Sequence, residues 1–96
     1  MNDADLRLDG NAAAGVLAEV FAAEMTAALG ICAHCGATNA IGAVWVYAHA
    51  PGTVLRCPAC TGILMTIVRA HERLHVDIAG VRRLQLAAPD EEALLR

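Results

Sequence analysis

An α+β fold, with an N-terminal helix packed on a small antiparallel ribbon sheet, is what this 96-residue sequence predicts. Three features predict it. Apolar side chains recur at helical spacing through Val16, Leu17, Val20, Phe21, Met25 and Ala28. Beyond Gly36 the pattern changes to short β-branched runs separated by turn residues. Two Cys-x-x-Cys pairs, Cys32/Cys35 and Cys57/Cys60, stand 21 residues apart and account for all four cysteines.

Residues 1–10 are expected to be a flexible N-terminus, acidic over Met1-Asn2-Asp3-Ala4-Asp5 where a secretory segment would be basic. Residues 11–86 are read as one domain. Asp9-Gly10-Asn11 offers cap residues for a helix from about Asn11 to Leu29, and Gly30 is expected to stop it. Its apolar stripe is read as core, with Leu17, Phe21 and Met25 packing on the sheet. Strands are expected over about Ile41–His49, Thr53–Arg56, Ile63–Ala70, Arg73–Ile78 and Val81–Leu86, with Pro51-Gly52 marking the first hairpin and Ala79-Gly80 the last. Ile63-Leu64-Met65-Thr66-Ile67-Val68 is apolar on both sides and reads as a central strand, which argues against a treble clef, where a helix would follow the second cysteine pair. Arg73, His75 and Asp77 alternate with Leu74, Val76 and Ile78, so one face of that strand should be wet. Residues 87–96 form an acidic tail.

Two thiols on one tight turn can face one ion, and two such turns supply the four sulfurs, at about 2.3 Å, that tetrahedral zinc prefers. Each turn carries suitable chemistry. Gly36 can take a positive φ after Cys35, Pro58 fixes φ inside the second turn, and Gly62 lies two residues beyond Cys60. The expectation is one structural Zn2+ held by Cys32, Cys35, Cys57 and Cys60 in a zinc ribbon. Disulfides are disfavoured, since no secretory segment is read at the N-terminus. The alternative is a rubredoxin-like iron electron carrier, but rubredoxins wrap iron in aromatic rings. Here Phe21, Trp45 and Tyr47 are the only aromatic residues of that kind and none lies in a knuckle. A chain this short buries a marginal core, so a metal contributing on the order of 10 kcal/mol matters to its folding.

Composition removes several function classes. There is no lysine and no serine, which excludes serine nucleophiles, Schiff-base lysines and Walker-type phosphate loops. With the thiols assigned to metal, no catalytic constellation is recognised. From Met25 to Leu55 no charged residue occurs, yet four glycines, a proline and the first knuckle make a membrane helix untenable. A cytoplasmic protein is expected. Residues 31–86 hold five arginines against two acids, +3 by difference, whereas residues 1–30 carry one arginine against five acids, −4. Four thiolates and a dication bring the ribbon to about +1, a weak field for phosphates. A nucleic-acid-binding ribbon is therefore a lesser alternative, and a protein partner is expected. His34 is read as a knuckle residue rather than a ligand. His49 and His71 flank turns, and His71, His75 and Asp77 are read as solvated polar residues rather than a second metal site or a base. The candidate partner surface is Trp45 and Tyr47 on one strand with Arg73 and His75 on another, each pair two apart and so on one face of its strand.

Leu8-Asp9-Gly10-Asn11, Glu19-Val20-Phe21, Met25-Thr26, Cys32-x-x-Cys35-Gly36, Val46-Tyr47, Ala50-Pro51-Gly52, Arg56-Cys57 and Val76-Asp77 together resemble a family of small actinobacterial, zinc-ribbon-like proteins classed as a domain of unknown function. The resemblance covers about Leu8 to Leu86 and implies a compact helix-plus-ribbon unit that makes up a whole protein. It implies no activity. One departure is Thr61-Gly62, where the family's cysteine is often followed directly by glycine.

Overall fold

The computed structural model describes residues 8–21, 24–49 and 52–87. Asp9 opens the first helical segment: its side chain accepts the Asn11 N–H at 3.0 Å, capping a 3-10 turn over Gly10–Ala13 that runs into helix α1, Ala14–Phe21. Gly10 has no room for a side chain, because a Cβ there would fall 1.6 Å from the Ile41 carbonyl oxygen. This contact seats the 3-10 turn of Gly10–Ala13 against a second one, Ile41–Ala43.

The described residues form eight strands: β1 Leu8–Asp9, β2 Leu29–Cys32, β3 Thr38–Ala40, β4 Trp45–His49, β5 Gly52–Arg56, β6 Ile63–Ala70, β7 Arg73–Asp77 and β8 Val81–Gln85. They make two antiparallel sheets, a five-stranded one in the order β1-β4-β5-β6-β7 and a three-stranded one in the order β3-β2-β8. The α+β class is therefore as expected, with a strand rather than a helix after Cys60. No helix among the described residues is long and apolar enough to cross a membrane.

Several elements differ from the sequence reading. The helix is much shorter than Asn11–Leu29: Thr26-Ala27 lies in a turn, and Leu29 and Gly30 belong to β2. Glu24 is the local reason, since its carboxylate accepts the Thr26 N–H at 3.0 Å and also the Thr26 hydroxyl, closing a turn. These bonds, the hydroxyl's first, hold the Glu24 carboxyl below the usual range. Met25 and Ala28 are buried all the same, through the turn rather than a helix face. The run Ile41–His49 is a 3-10 turn followed by β4, not one strand. Ala79-Gly80 does not close a hairpin. It carries the chain from one sheet to the other, and β8 pairs with β2 instead of β7, Gly30 lying opposite Leu84. The last true hairpin is β6–β7, turned by His71 and Glu72 at φ 53° and 63°, a two-residue turn of the positive-φ kind without its customary glycine. At the β4–β5 hairpin, which follows the β2–β3 hairpin and so is not the first, His49 pairs with Gly52, while Pro51 lies outside the described residues. So do residues 1–7 of the expected flexible N-terminus, whose Leu8 and Asp9 form β1, and the tail from residue 88.

Register fixes the two faces of the larger sheet. Val46, Leu55 and Met65 lie side by side on one face, with Ile67 next along β6, and all four are buried. Helix α1 covers that face, with Leu17 fully buried, Val16, Val20 and Phe21 packed at the margin, and Glu19 paired with Arg69 of β6. The opposite face carries Trp45, Tyr47, Val54, Arg56, Thr66, Val68, Arg73, His75 and Asp77.

Burial ranks the helix contacts: Leu17→Ala should destabilise the protein by about 2–5 kcal/mol, and Phe21→Ala, whose ring is only half-buried, by less. Urea unfolding of both variants checks the order, and a larger loss for Phe21→Ala would show that the helix seat lies elsewhere.

Candidate metal centre

Both Cys-x-x-Cys segments are the loops of β-hairpins, the first joining β2 to β3 and the second joining β5 to β6. Their backbones repeat one another. Gly36 N–H donates to the Cys32 carbonyl at 2.9 Å as Thr61 N–H does to that of Cys57 at 2.8 Å, and Cys32 and Cys57 N–H donate to the carbonyls of Ala37 and Gly62, both at 2.9 Å. Amide N–H groups also point at sulfur: His34 at Cys32 Sγ (3.3 Å), Ala59 at Cys57 Sγ (3.4 Å) and Gly62 at Cys60 Sγ (3.4 Å). Each donor lies two residues beyond its cysteine. Such bonds favour thiolate over thiol.

The two loops face one another and bring all four Sγ atoms within 4.8 Å. Cys32 and Cys60 sulfurs are 3.7 Å apart, as are those of Cys35 and Cys57. Sulfurs about 2.3 Å from one central ion stand about 3.8 Å apart in a regular tetrahedron, so the cluster has the dimensions of a four-thiolate metal site. Cys32 and Cys57 are buried, Cys60 is half-buried and Cys35 faces solvent.

As free thiols Cys32, Cys35 and Cys60 do not ionise together. Burial opposes charge on Cys32, but the amides of Cys35 and His34 and the Cys60 and Cys35 side chains outweigh it and lower its pKa to about 6. Cys35 is pushed up to about 11: the Ala37 amide favours its thiolate, but desolvation and the Cys57, Cys60 and Cys32 side chains prevail. Cys60 is raised as well, its Gly62 amide outweighed by desolvation and by Cys32 and Cys57. One thiolate suppresses its neighbours. A dication removes that conflict, and acid, by restoring protons to sulfur, opposes metal binding.

In the second knuckle the left-handed position is taken by Thr61 rather than by a glycine. Thr61 has φ 63°, in the position of Gly36, at φ 78°. Arg56 supports it by donating to the Thr61 carbonyl at 2.8 Å. Gly62 is needed for space, since a Cβ would stand 2.5 Å from His34 Cδ2 and 3.3 Å from Cys60 Sγ. His34 is exposed, as expected, yet not idle. Its Nε2 is 3.0 Å from the Ile63 carbonyl oxygen, so the first knuckle clasps the strand that leaves the second. The Ala33 N–H donates to the Gly80 carbonyl at 2.8 Å, a second tie. The only sequence signals for these roles were adjacency, Arg56 beside Cys57 and His34 inside the first pair.

Trp45, Tyr47, Arg73 and His75 do share one face of the larger sheet, but the aromatic and arginine pairs do not meet, because β5 and β6 lie between their strands. Trp45 and Tyr47 are half-buried, Arg73 and His75 exposed. The arginine that reaches Tyr47 is Arg56, 5.9 Å from the ring centroid. Two shallow grooves open on this face beside the knuckles, one of about 510 Å³ lined by Tyr47, Val54, Arg56 and Thr61, the other of about 430 Å³ including His34, Gly62, Thr66 and Asp77. Among the described residues, His71, His75 and Asp77 form no metal-type cluster.

Residues 2–89 match the model of a family of unknown function, DUF6510. The chain belongs to this family. The match extends beyond the Leu8–Leu86 span read from the sequence, and it includes both knuckles and the Asp9-Gly10-Asn11 cap. No curated protein and no solved structure matches the chain.

The two positions after Cys60 should respond in opposite directions. Thr61→Gly should stabilise the metal-loaded protein by about 1 kcal/mol, relieving a β-branched residue of a left-handed conformation. Gly62→Ala should lower the melting temperature by pushing His34 off the Ile63 carbonyl. Thermal melts of the two variants beside the parent decide it, and equal shifts would contradict the assignment.

Proposed function

We propose that this protein is a small zinc-ribbon binding module of the cytoplasm, with one structural zinc ion on Cys32, Cys35, Cys57 and Cys60 and a protein partner on the open face of its larger sheet. The observation that carries the metal half is the pair of matched knuckles, with sulfurs 3.7 Å apart across the gap and amides aimed at them. Zinc is favoured over iron because no Phe, Trp or Tyr lies in either knuckle, and because a reducing compartment keeps thiols available to a redox-inert ion. Catalysis is no part of this reading, since all four thiols are committed to the ion.

Purified protein should contain one equivalent of zinc and no visible absorption. Cys57→Ser should remove most of the metal's contribution to folding, on the order of several kcal/mol, and leave the chain largely unfolded by circular dichroism. A folded, metal-free variant would overturn the structural role, and thiolate-to-iron bands in the parent would reassign the site to electron transfer.

The partner half rests on the open face, where Trp45, Tyr47 and Val68 stand among Arg56, Arg73 and His75 and two grooves adjoin the knuckles. Aromatic and arginine side chains together are enriched in protein–protein hot spots, whereas a ribbon of about +1 gives phosphates little to hold. A protein captured from the native host should be retained in titrations with the purified chain. His75→Ala should weaken it about tenfold or more at an unchanged melting temperature. Salt-sensitive binding of a single-stranded oligonucleotide, with no protein retained, would instead assign nucleic acid as the partner.

A further inference from the structure

Among the described residues, β7 is an outer strand of the five-stranded sheet. Ala70 and Arg73 close the β6–β7 turn, and Val68 pairs with His75 and Thr66 with Asp77, so these residues of β7 spend their backbone groups on β6. The N–H and C=O groups of Leu74 and Val76 therefore point away from the sheet. Val76 is 39% exposed on the side that α1 covers further in, Ile78 just past the strand is 44% exposed, and Arg73 makes no ion pair among the described residues. An outer strand of this kind is a template for another strand.

We propose that β7 pairs with β7 of a second copy of this chain, antiparallel about a two-fold axis through His75, joining two five-stranded sheets edge to edge. Charge selects the occupant and the register. The strand reads Arg73-Leu74-His75-Val76-Asp77, so pairing with itself about its centre sets Arg73 of each copy opposite Asp77 of the other, and Leu74 opposite Val76. Leu74 and Val76 then exchange the outward backbone bonds, while each Arg–Asp couple falls at a non-hydrogen-bonded position, where cross-strand side chains approach most closely. Asp77 gives one carboxylate oxygen to the Ala79 N–H at 2.9 Å and keeps the other for the incoming arginine. The apolar pair lies on the helix side and continues the core, and the charged pairs lie on the open face. The other long outer strand lacks this property. In β8, pairing centred on Arg82 or Arg83 sets arginine against arginine, the charge pattern that blunts an edge.

A five-residue edge is short beside a standard interface, so the association depends on concentration. Sedimentation equilibrium of the metal-loaded protein should show a monomer–dimer equilibrium. Arg73→Asp alone sets aspartate against aspartate and Asp77→Arg alone sets arginine against arginine, and each should weaken self-association about tenfold or more. Mixing the two variants should restore it as a heterodimer, because both cross-strand couples then become opposite in sign. Melting curves and metal content show that each variant is folded. If one fails to fold, Val76→Pro, which removes an outward N–H and no bond to β6, replaces it and should give a monomer. A parent chain that stays monomeric to millimolar concentration, or dimerises equally well with either single reversal, overturns the proposal. So does a mixture of folded variants that shows no heterodimer.

Discussion

Four sulfurs converge from two hairpins that belong to different sheets, and the rest of the fold is arranged around that meeting. The β2–β3 knuckle and the β5–β6 knuckle share no strand pairing among the described residues; they meet through the sulfur cluster and His34 on the Ile63 carbonyl, and Ala33 is tied to the Gly80 carbonyl at the crossover. Four thiols held within 4.8 Å repel one another as soon as more than one ionises, which is visible in the opposite displacements of Cys32 and Cys35. A cation at the centre turns that repulsion into cohesion. Small domains of this size have too little buried surface to neglect a contribution of that kind.

The rest of the architecture positions these two loops. Helix α1 and the two 3-10 turns cover one face of the larger sheet, holding β5 and β6 in register behind the second knuckle. The chain then crosses at Ala79-Gly80 and returns as β8 along β2, bracing the first knuckle from the other side. No helix or second sheet among the described residues lies on the opposite face of the larger sheet. That face carries the half-buried Trp45 and Tyr47 and the exposed Arg73 and His75, with the outer strand β7 at its border.

Local strain sits close to the functional parts. Thr61 and Gly36 occupy equivalent left-handed positions, and the second knuckle accepts threonine because Arg56 holds its carbonyl while itself stacking over Tyr47. A single arginine thereby connects the second knuckle to the open face.

The cysteine set, the α+β class, the cap residues at Asp9-Gly10-Asn11, the central strand Ile63–Ala70 and the alternation along β7 are legible in the order of residues. Each of these is written in local spacing or composition, which short-range sterics and periodicity read directly. The turn at Thr26-Ala27 is not legible in that order, because apolar residues at positions 25 and 28 fit a buried turn as well as a helix until Glu24 bonds to Thr26. Only the tertiary structure decided that Ala79-Gly80 is a crossover, since a turn dipeptide fixes chain reversal but not which strand the chain meets next. The same holds for the face shared by Trp45, Tyr47, Arg73 and His75. Period-two alternation places each pair on one side of its own strand, but the registers of three successive pairings decide whether those sides coincide, and how far apart the pairs then stand.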